Sequence, residues 1–435
     1  MSKKISFVVA LAAICALSLF LLNCGSSSSR PSGLLYVVTQ GINSQGVITG
    51  LGNNVSSFSI DDDNGNLTLI NYNASTCPTQ ATESNPEPCG IPLQILLDPT
   101  DKVAFVLDQG GIFAFTVNSD GSLSAPMPAL PPSAPALPGT PIAMTRDAAG
   151  QFLFVINEGS GPSATNCQYL PPSYPNIQCA SISVFAMQPG STSLTEAPGS
   201  PYAVGRIPSA LSVITYPGPT STMEVLYVTF NVDPALHNDS TLSAYSVDSS
   251  GTLADLRPDS PYVTATDPIS VLAVNTTPAG ESTGGVFVYV GSQANQSGAL
   301  SVFQVCPAGN SGCQANQLVA VGTPTSLGQN PVAMLVDPTN SFLYVVCYVS
   351  SQIYGYRINT TTGALVSQSP PSQPTGSQPV SMAMHPSVSD TGEFLYTSNS
   401  GQSNITGFAV STTTGSMSSL PPVIAPAAPS GMTAD

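Results

Sequence analysis

A proline-led segment returns seven times along the chain and constrains the fold more than any other feature. The steps between successive prolines are 49, 67, 60, 63, 48 and 50 residues, and the prolines are Pro92, Pro141, Pro208, Pro268, Pro331, Pro379 and Pro429. Self-similarity at such a period is typical of repeat architectures, and this spacing suits one four-stranded propeller blade with loops of variable length. The repeats therefore predict an all-β chain that folds as a single seven-bladed β-propeller.

Within each repeat, two segments predict two strands. The proline-led segment alternates apolar and small residues, as in Pro331-Val332-Ala333-Met334, and we expect it to be the inner strand, because seven inner strands crowd around one axis. A run rich in aromatic and β-branched residues follows, as in Leu226-Tyr227-Val228-Thr229, and predicts a buried second strand. Weaker third and fourth strands follow through glycine-containing hairpins.

The two ends of the chain are incomplete in complementary ways. The last repeat, from Pro429 to Asp435, has no strands after it, and the first aromatic strand, from Leu35, has no proline-led strand before it. We therefore expect the C-terminal inner strand to pair with the N-terminal strands and so to close the ring, which removes the open edges of the sheet.

The N-terminus predicts export. Lys3 and Lys4 precede an apolar run of 18 residues (5–22), which indicates a signal peptide over residues 1–23. Leu21-Leu22-Asn23-Cys24 resembles a bacterial lipobox, in which the cysteine is lipidated, although Asn23 replaces the usual small residue. An uncleaved anchor is the alternative, because 18 apolar residues can just span a bilayer. We expect residues 24–32 to be a tether to the membrane, on the periplasmic or cell-surface side, and residues 33–435 to be the propeller.

Charge and composition exclude several partners. The chain carries 8 basic and 24 acidic residues, a net charge of −16, which disfavours binding to nucleic acid. A hydrophobic content of 42% favours a packed core. The sequence contains no glycine-rich phosphate loop, no serine nucleophile elbow and no cluster of metal ligands, so we expect no cofactor and no metal. We expect a monomer.

The cysteines beyond Cys24 are typical of an oxidising compartment. Six of them form three short-range pairs, which predict disulfides: Cys77 with Cys89, Cys167 with Cys179, and Cys306 with Cys313. Their spacings do not suit a zinc site. Cys347 lies within an apolar strand, where we expect a buried and inert thiol.

At this point the repeats resemble a known family. Segments such as Leu226-Tyr227-Val228-Thr229, joined to Ala197–Tyr202 and Asp259–Tyr262, are similar to those of the lactonase-type seven-bladed propellers, which include bacterial 6-phosphogluconolactonase and the Tyr-Val-Thr-Asn repeat proteins. The resemblance covers residues 33–435. It implies chemistry on sugar lactones without an obligatory metal, carried by His, Arg and acidic side chains at the channel mouth. Basic residues are scattered here, so a phosphorylated substrate is disfavoured.

Four residues are candidates for a catalytic site, on the face where the loops that lead into the inner strands meet those that follow the second strands. They are Glu158, Arg206, His237 and Asp267. His237 or Glu158 would activate water, and Arg206 would hold the developing oxyanion of a neutral sugar lactone or related ester. The alternative is that these are solvated rim residues of a binding scaffold for a glycan, a sugar lactone or a protein, and this is the function we favour from sequence.

Two further motifs are interpreted as structural. His385 occupies the position held by Asp98, Asp147, Asp337 and Asp435 in other repeats, and we expect a turn residue there. Residues 61–66, Asp-Asp-Asp-Asn-Gly-Asn, look like part of a calcium loop but lack its closing glutamate, so we expect a solvated hairpin.

Overall fold

The computed structural model describes residues 31–40, 53–76, 90–131, 137–159, 180–204, 207–218, 221–231, 241–256, 262–277, 284–294, 297–307, 312–386, 392–425 and 428–435. These residues form seven antiparallel sheets and contain no α-helix. No helix within these ranges is therefore long and apolar enough to cross a membrane. The all-β prediction is confirmed.

Each sheet is one blade, counted here in chain order. Blade 1 contains β1 (Gly33–Thr39), β2 (Asn54–Ile60) and β3 (Leu67–Ser75), and blade 2 contains β4 (Pro92–Leu97), β5 (Val103–Asp108), β6 (Gly111–Thr116) and β7 (Met127–Pro128). Blade 3 contains β8 (Thr140–Arg146), β9 (Phe152–Glu158), β10 (Ala180–Ala186), β11 (Thr195–Glu196) and β12 (Tyr202–Val204). Blade 4 contains β13 (Pro208–Pro217), β14 (Thr222–Phe230), β15 (Thr241–Val247), β16 (Leu253–Asp255) and β17 (Tyr262–Val263).

The remaining blades repeat this plan. Blade 5 contains β18 (Pro268–Asn275), β19 (Val286–Ala294), β20 (Ser297–Val305), β21 (Leu318–Ala320) and β22 (Thr325–Leu327), and blade 6 contains β23 (Pro331–Val336), β24 (Phe342–Cys347), β25 (Gln352–Ile358) and β26 (Leu365–Pro374). Blade 7 contains β27 (Pro379–Pro386), β28 (Glu393–Asn399), β29 (Asn404–Val410), β30 (Met417–Ser419) and β31 (Val423–Ile424). The last strand, β32 (Pro429–Ala434), is the inner strand of blade 1.

The ring closes where the ends of the chain meet. β1 pairs on one side with β2 and on the other with β32, with Leu35 opposite Ala434 and Val37 opposite Met432. The predicted closure is confirmed, and no blade is left without an inner strand.

A β-bulge follows the proline of every inner strand. Pro92 pairs with Asp108 while Gln94 pairs with Leu107, so one extra residue lies between two successive pairs, and the same register shift occurs in all seven blades. Proline has no N–H to donate to the ladder, and bulges are where sheets accommodate it. The repeated proline therefore marks the point where each strand enters the central bundle.

Polar residues after the bulge join neighbouring inner strands. Gln94 Oε1 accepts a hydrogen bond from Met144 N at 2.7 Å, and Ser270 Oγ donates to Pro331 O at 2.5 Å. At Gly431 a Cβ would lie 2.9 Å from the Gln94 Cα. The second position after the proline is thus restricted either by crowding or by an inter-blade hydrogen bond.

In four blades, a tyrosine of the second strand forms a hydrogen bond to the next blade. Tyr hydroxyls donate to the carbonyl oxygen of a hairpin glycine in the following blade, and the pairs are Tyr36 with Gly121 (2.9 Å), Tyr289 with Gly363 (3.2 Å), Tyr344 with Gly415 (2.7 Å) and Tyr396 with Gly65 (2.7 Å). All four rings are almost completely buried. Phe105 and Phe154 take the same place in blades 2 and 3, and Tyr227 takes it in blade 4 without a bond to a hairpin carbonyl, so four of the seven blades make this contact.

Aspartates hold the turns between inner and second strands. Both oxygens of Asp337 accept hydrogen bonds, from Ser341 N and Phe342 N at Oδ1 and from Thr339 at Oδ2. The prediction that His385 is a turn residue at the equivalent position is wrong. It lies within β27, and its ring is buried because it contacts blade 1 instead of its own turn.

The predicted cysteine and hairpin features have mixed outcomes. Cys306 and Cys313 form the predicted disulfide, whereas Cys77, Cys89, Cys167 and Cys179 lie outside the described residues. Cys347 is free and buried, and burial raises the pKa of its thiol to about 12, so it is inert as predicted. Residues 61–66 form the expected hairpin turn, in which the exposed Asp61 carboxylate accepts from Asp63 N and Asn64 Nδ2, but Asp62 and Gly65 of this turn contact blade 7.

Candidate ligand site on the upper face

We call the end of the ring where the inner strands begin the upper face, and the opposite end the lower face. On the upper face, in six of the seven blades the residue before the inner-strand proline accepts a hydrogen bond from the residue that comes one position after the proline's partner in the second strand. Examples are Asp267 O from Gln293 N (2.9 Å), Asn330 O from Tyr348 N (2.8 Å) and Gln378 O from Ser400 N (2.9 Å). The two sets of loops therefore meet, as the sequence predicts.

Blades 5, 6 and 7 present a polar residue in an uncommon backbone conformation at this point. Asp267, Asn330 and Gln378 have φ values of 50°, 60° and 55°, in the left-handed region that non-glycine residues rarely adopt. All three immediately precede an inner-strand proline. Backbone strain of this kind is concentrated at functional sites, and here it recurs at one position in three consecutive blades.

Neutral side chains fix the loops of this rim. Gln293 Oε1 accepts from Asn330 N at 2.5 Å, Ser350 Oγ from Gln329 N at 2.6 Å, and Ser351 Oγ from Gln378 N at 3.3 Å. Because side chains of one blade hold the backbone of another part of the rim, the polar groups that face solvent are held in place before a ligand arrives.

A buried polar residue ends most second strands beneath this rim. The residues opposite the inner-strand prolines are Thr39, Asp108, Asn157, Phe230, Ser292, Cys347 and Asn399. Asn399 Nδ2 donates to Asn404 Oδ1 and Thr406 Oγ1. By contrast, Asn157 Oδ1, Ser292 Oγ and Asp108 Oδ2 are buried and have no hydrogen-bond partner among the described residues.

Asp108 is the carboxylic acid among the residues opposite the inner-strand prolines, and the sequence analysis did not identify it as a candidate site residue. Its Oδ1 accepts from Gly110 N at 2.8 Å and lies so close to Gly90 that a Cβ there would collide with it. Burial raises the pKa of Asp108 to about 6, although hydrogen bonds from Gly110 and Gly90 oppose that shift. Aligning the ends of the second strands would have shown an acid where other blades carry neutral residues.

The cationic side chains in the described part of the chain lie toward the lower face. Lys102 follows the inner-strand turn of blade 2, Arg146 ends β8, and Arg357 pairs with Phe342 at the lower end of β24. Arg146 Nε donates to Leu97 O at 2.6 Å, and its Nη1 donates to Asp147 O at 3.0 Å. Within the described ranges, the upper rim is therefore neutral or acidic.

The four predicted site residues are only partly placed. Glu158 ends β9, pairs with Thr140 and is exposed at the upper face of blade 3. Asp267 lies on the same face but in blade 5. Arg206 and His237 lie outside the described residues, so their convergence with Glu158 stays a prediction. No group of three or more His, Cys, Asp or Glu side chains within those ranges is arranged to hold a metal ion.

Seven closed four-stranded blades define the class as a seven-bladed β-propeller. Residues 237–384 match the family model described as "Lactonase, 7-bladed beta-propeller". This match confirms the resemblance to the lactonase-type propellers over residues 237–384. In the rest of the described chain the structure shows the seven-bladed propeller fold. No curated protein sequence matches the chain.

Solved structures share this fold at low sequence identity. A candidate 6-phosphogluconolactonase from Bacteroides fragilis is 12% identical, with a TM-score of 0.56, and the similarity covers 94% of this chain and 99% of that one. The periplasmic gluconolactonase PpgL of Pseudomonas aeruginosa is 16% identical, with a TM-score of 0.56, and the coverage is 92% and 99%. A protein from Lactobacillus plantarum is 15% identical, with a TM-score of 0.56 and coverage of 93% and 99%. At these identities the likeness shows the fold alone.

Proposed function

We propose that this protein is a membrane-tethered, extracytoplasmic propeller that binds a neutral, hydroxyl-rich ligand, a glycan, on its upper face. Lipidation at Cys24 would supply the tether, and the three short-range cysteine pairs of the sequence suit an oxidising compartment. The observation that carries the proposal is the chemistry of the upper rim, where amides and hydroxyls dominate and the described cations are absent.

The rim chemistry suits sugar hydroxyls. Asparagine and glutamine side chains both donate and accept hydrogen bonds, as sugar hydroxyl groups do. Asn330 and Gln378 project from the left-handed positions, and Tyr348, half-buried beside Asn330, offers an aromatic surface with a polar tip. An anionic ligand would instead require clustered Arg or Lys side chains.

A binding assay tests the proposal. The purified protein would be screened against a panel of neutral oligosaccharides, with calorimetry on the strongest binder. We expect Gln378→Ala and Tyr348→Ala to weaken that binding at least about tenfold, which corresponds to the loss of one or two good contacts. Thr361→Ala is the matched control, because Thr361 is exposed in the lower-face turn that follows β25.

Two results would contradict the proposal. One is the absence of binding to every neutral oligosaccharide together with tight binding to a protein partner. The other is binding that Thr361→Ala weakens as much as Gln378→Ala does, because the ligand would then not lie on the upper face.

Hydrolysis of a neutral sugar lactone or related ester is the second candidate, and Asp108 is the observation that favours it. A carboxyl with a pKa of about 6 is ionised at neutral pH and basic enough to activate water. The name of the Pseudomonas gluconolactonase is consistent with this chemistry. Binding ranks first because Asp108 Oδ2 is buried, so a substrate would reach it only after the residues that cover it move.

Lactone turnover separates the two candidates. If the protein is a hydrolase, turnover of a neutral sugar lactone should exceed the uncatalysed rate. The variants to test are Asp108→Asn, Glu158→Gln, Arg206→Ala and His237→Ala. Replacing the group that acts as general base or oxyanion donor should lower the turnover rate at least about 100-fold. Binding without turnover would leave the scaffold as the function.

A further inference from the structure

One histidine of blade 7 contacts both separated parts of blade 1. His385, near the end of β27, lies with Nδ1 2.8 Å from the carbonyl oxygen of Asp435 and Nε2 3.0 Å from Asp62 Oδ1. Asp62 belongs to the turn between β2 and β3, and Asp435 follows β32. The imidazole is 4% exposed, so both contacts are shielded from solvent.

Asp435 is fixed from two directions. Its Oδ1 accepts from Leu34 N at 2.6 Å, and its own N–H donates to Leu34 O at 3.2 Å. The same Oδ1 lies 3.6 Å from His385 Nδ1. The last strand of blade 1 is therefore held to β1 by the backbone ladder and to blade 7 by the histidine.

Gly33 leaves space for the His385 ring because it has no side chain. A Cβ at Gly33 would lie 2.6 Å from His385 Nε2. Gly33 lies three positions before Tyr36, the aromatic residue of the second strand in blade 1. The other six blades carry a larger side chain at this position: Lys102, Gln151, Glu224, Val286, Ser341 and Glu393. The glycine and the histidine thus form a matched pair at the seam.

We propose that His385 is a latch that holds the ring closed, because it ties the two separated parts of blade 1 to blade 7. Elsewhere in the ring, Asp98 and Asp337 use the same position of the repeat to hold their own turns, and Asp98 also accepts from Gly190 N of the next blade. Both acceptors of His385 are oxygen atoms, and one of them belongs to a carboxylate. Hydrogen bonds to charged groups are roughly twice as strong as neutral ones.

Amide hydrogen exchange measured on the whole purified protein tests the latch. We expect His385→Ala and Asp62→Asn to raise exchange about tenfold or more at the amides of β32 and at Leu34, and to leave β4, β5, β23 and β24 unchanged. Gly33→Ala should have the same selective effect, because it displaces the imidazole without removing either acceptor.

Asp63→Asn is the matched control. Asp63 lies beside Asp62 in the same turn but is exposed, and its backbone N–H donates to the Asp61 carboxylate. Exchange that rises uniformly around the ring, or that does not rise at the seam, would overturn the latch. If His385→Ala does not fold, Asp62→Asn and Gly33→Ala decide the question, because neither removes a core side chain.

Discussion

Asp98 and Asp108 lie at opposite ends of blade 2, and their carboxyl groups behave in opposite ways. Both are fully buried. Burial by itself would raise the pKa of Asp98, but hydrogen bonds from Thr100, Gly190, Val103 and Lys102 together lower it. Asp108 has fewer donors, Oδ2 has none, and its pKa rises to about 6. The lower end of the blade uses its acid to build the fold, whereas the upper end leaves bonding capacity unused.

Around the ring as a whole the contrast is less complete, because Glu224 Oε1 and Glu393 Oε2 on the lower face are also buried without a hydrogen-bond partner among the described residues, and burial raises the pKa of both carboxyl groups to about 7. On the lower face, aspartates cap turns and tyrosines clamp hairpins of the next blade. On the upper face, Asn157, Ser292 and Asp108 each keep a buried polar atom without a partner. Buried polar atoms without partners reduce stability, so natural proteins retain them mainly where function requires them.

Asp98→Ala should have the largest effect on stability. Asp98 accepts hydrogen bonds from its own turn and from Gly190 N of blade 3 at 2.8 Å, so its removal leaves several buried N–H groups without acceptors. We expect a loss of about 3 kcal/mol in urea unfolding at neutral pH. Because the folded-state pKa of Asp98 is lowered, its contribution is present above about pH 4 and is lost as the pH falls further. The exposed Asp120 is the control. A loss of stability in Asp120→Ala as large as that in Asp98→Ala would mean that the buried hydrogen bonds of Asp98 do not account for its effect.

Asp108→Asn should instead stabilise the protein, and only in part of the pH range. A raised folded-state pKa means that folding favours the protonated acid, so Asp108 lowers stability progressively from about pH 4 to about pH 6 and by a constant amount above that. We expect a gain of about 2 kcal/mol at neutral pH and almost none near pH 4. Urea unfolding at both pH values measures it. A loss of stability at neutral pH would mean that Oδ2 has a partner after all.

Tyr344→Phe should cost about 1 kcal/mol, because it removes the 2.7 Å hydrogen bond to Gly415 O and leaves that carbonyl unpaired inside the ring. Tyr202→Phe is the control, since its hydroxyl bonds Pro198 O at an exposed position. Thermal unfolding of both variants provides the comparison. Equal losses of stability in the two variants would show that burial between blades adds nothing to the hydrogen bond of Tyr344.

Glu158→Gln should change stability by less than about 0.5 kcal/mol, because the side chain is exposed and the upper rim does not depend on it. Its effect should appear only in ligand binding or lactone turnover. A large stability change would place Glu158 among the structural acids, and would undermine the division between the two faces.

The fold was accessible from the sequence because its determinants are local and repeated. Proline at the bulge and the buried second strand each leave a pattern within a few residues, so the architecture and its closure follow from them. The role of His385 was not accessible, because its partners are 50 and 323 residues away in sequence. Local reasoning assigned it to a turn, as its position in the repeat indicates.

The candidate site was harder to predict for a different reason. Sequence alone located the upper face and placed Glu158 and Asp267 there, since strand order determines where loops emerge. It overlooked Asp108, because an acid at the end of a strand looks like an ordinary turn residue. Aligning the second strands would have shown that Asp108 is an acid at a position that is neutral in the other blades, but not that its Oδ2 lacks a hydrogen-bond donor among the described residues.

The closing seam also has a consequence for the order of events during synthesis. Leu34 bonds a residue 401 positions later in the chain, so blade 1 stays unfinished until the ribosome has made almost everything else. Through that interval β1 presents an open edge, the kind of edge that pairs with other chains. We therefore expect a truncation that removes β32 to yield aggregates, even though six complete blades are left.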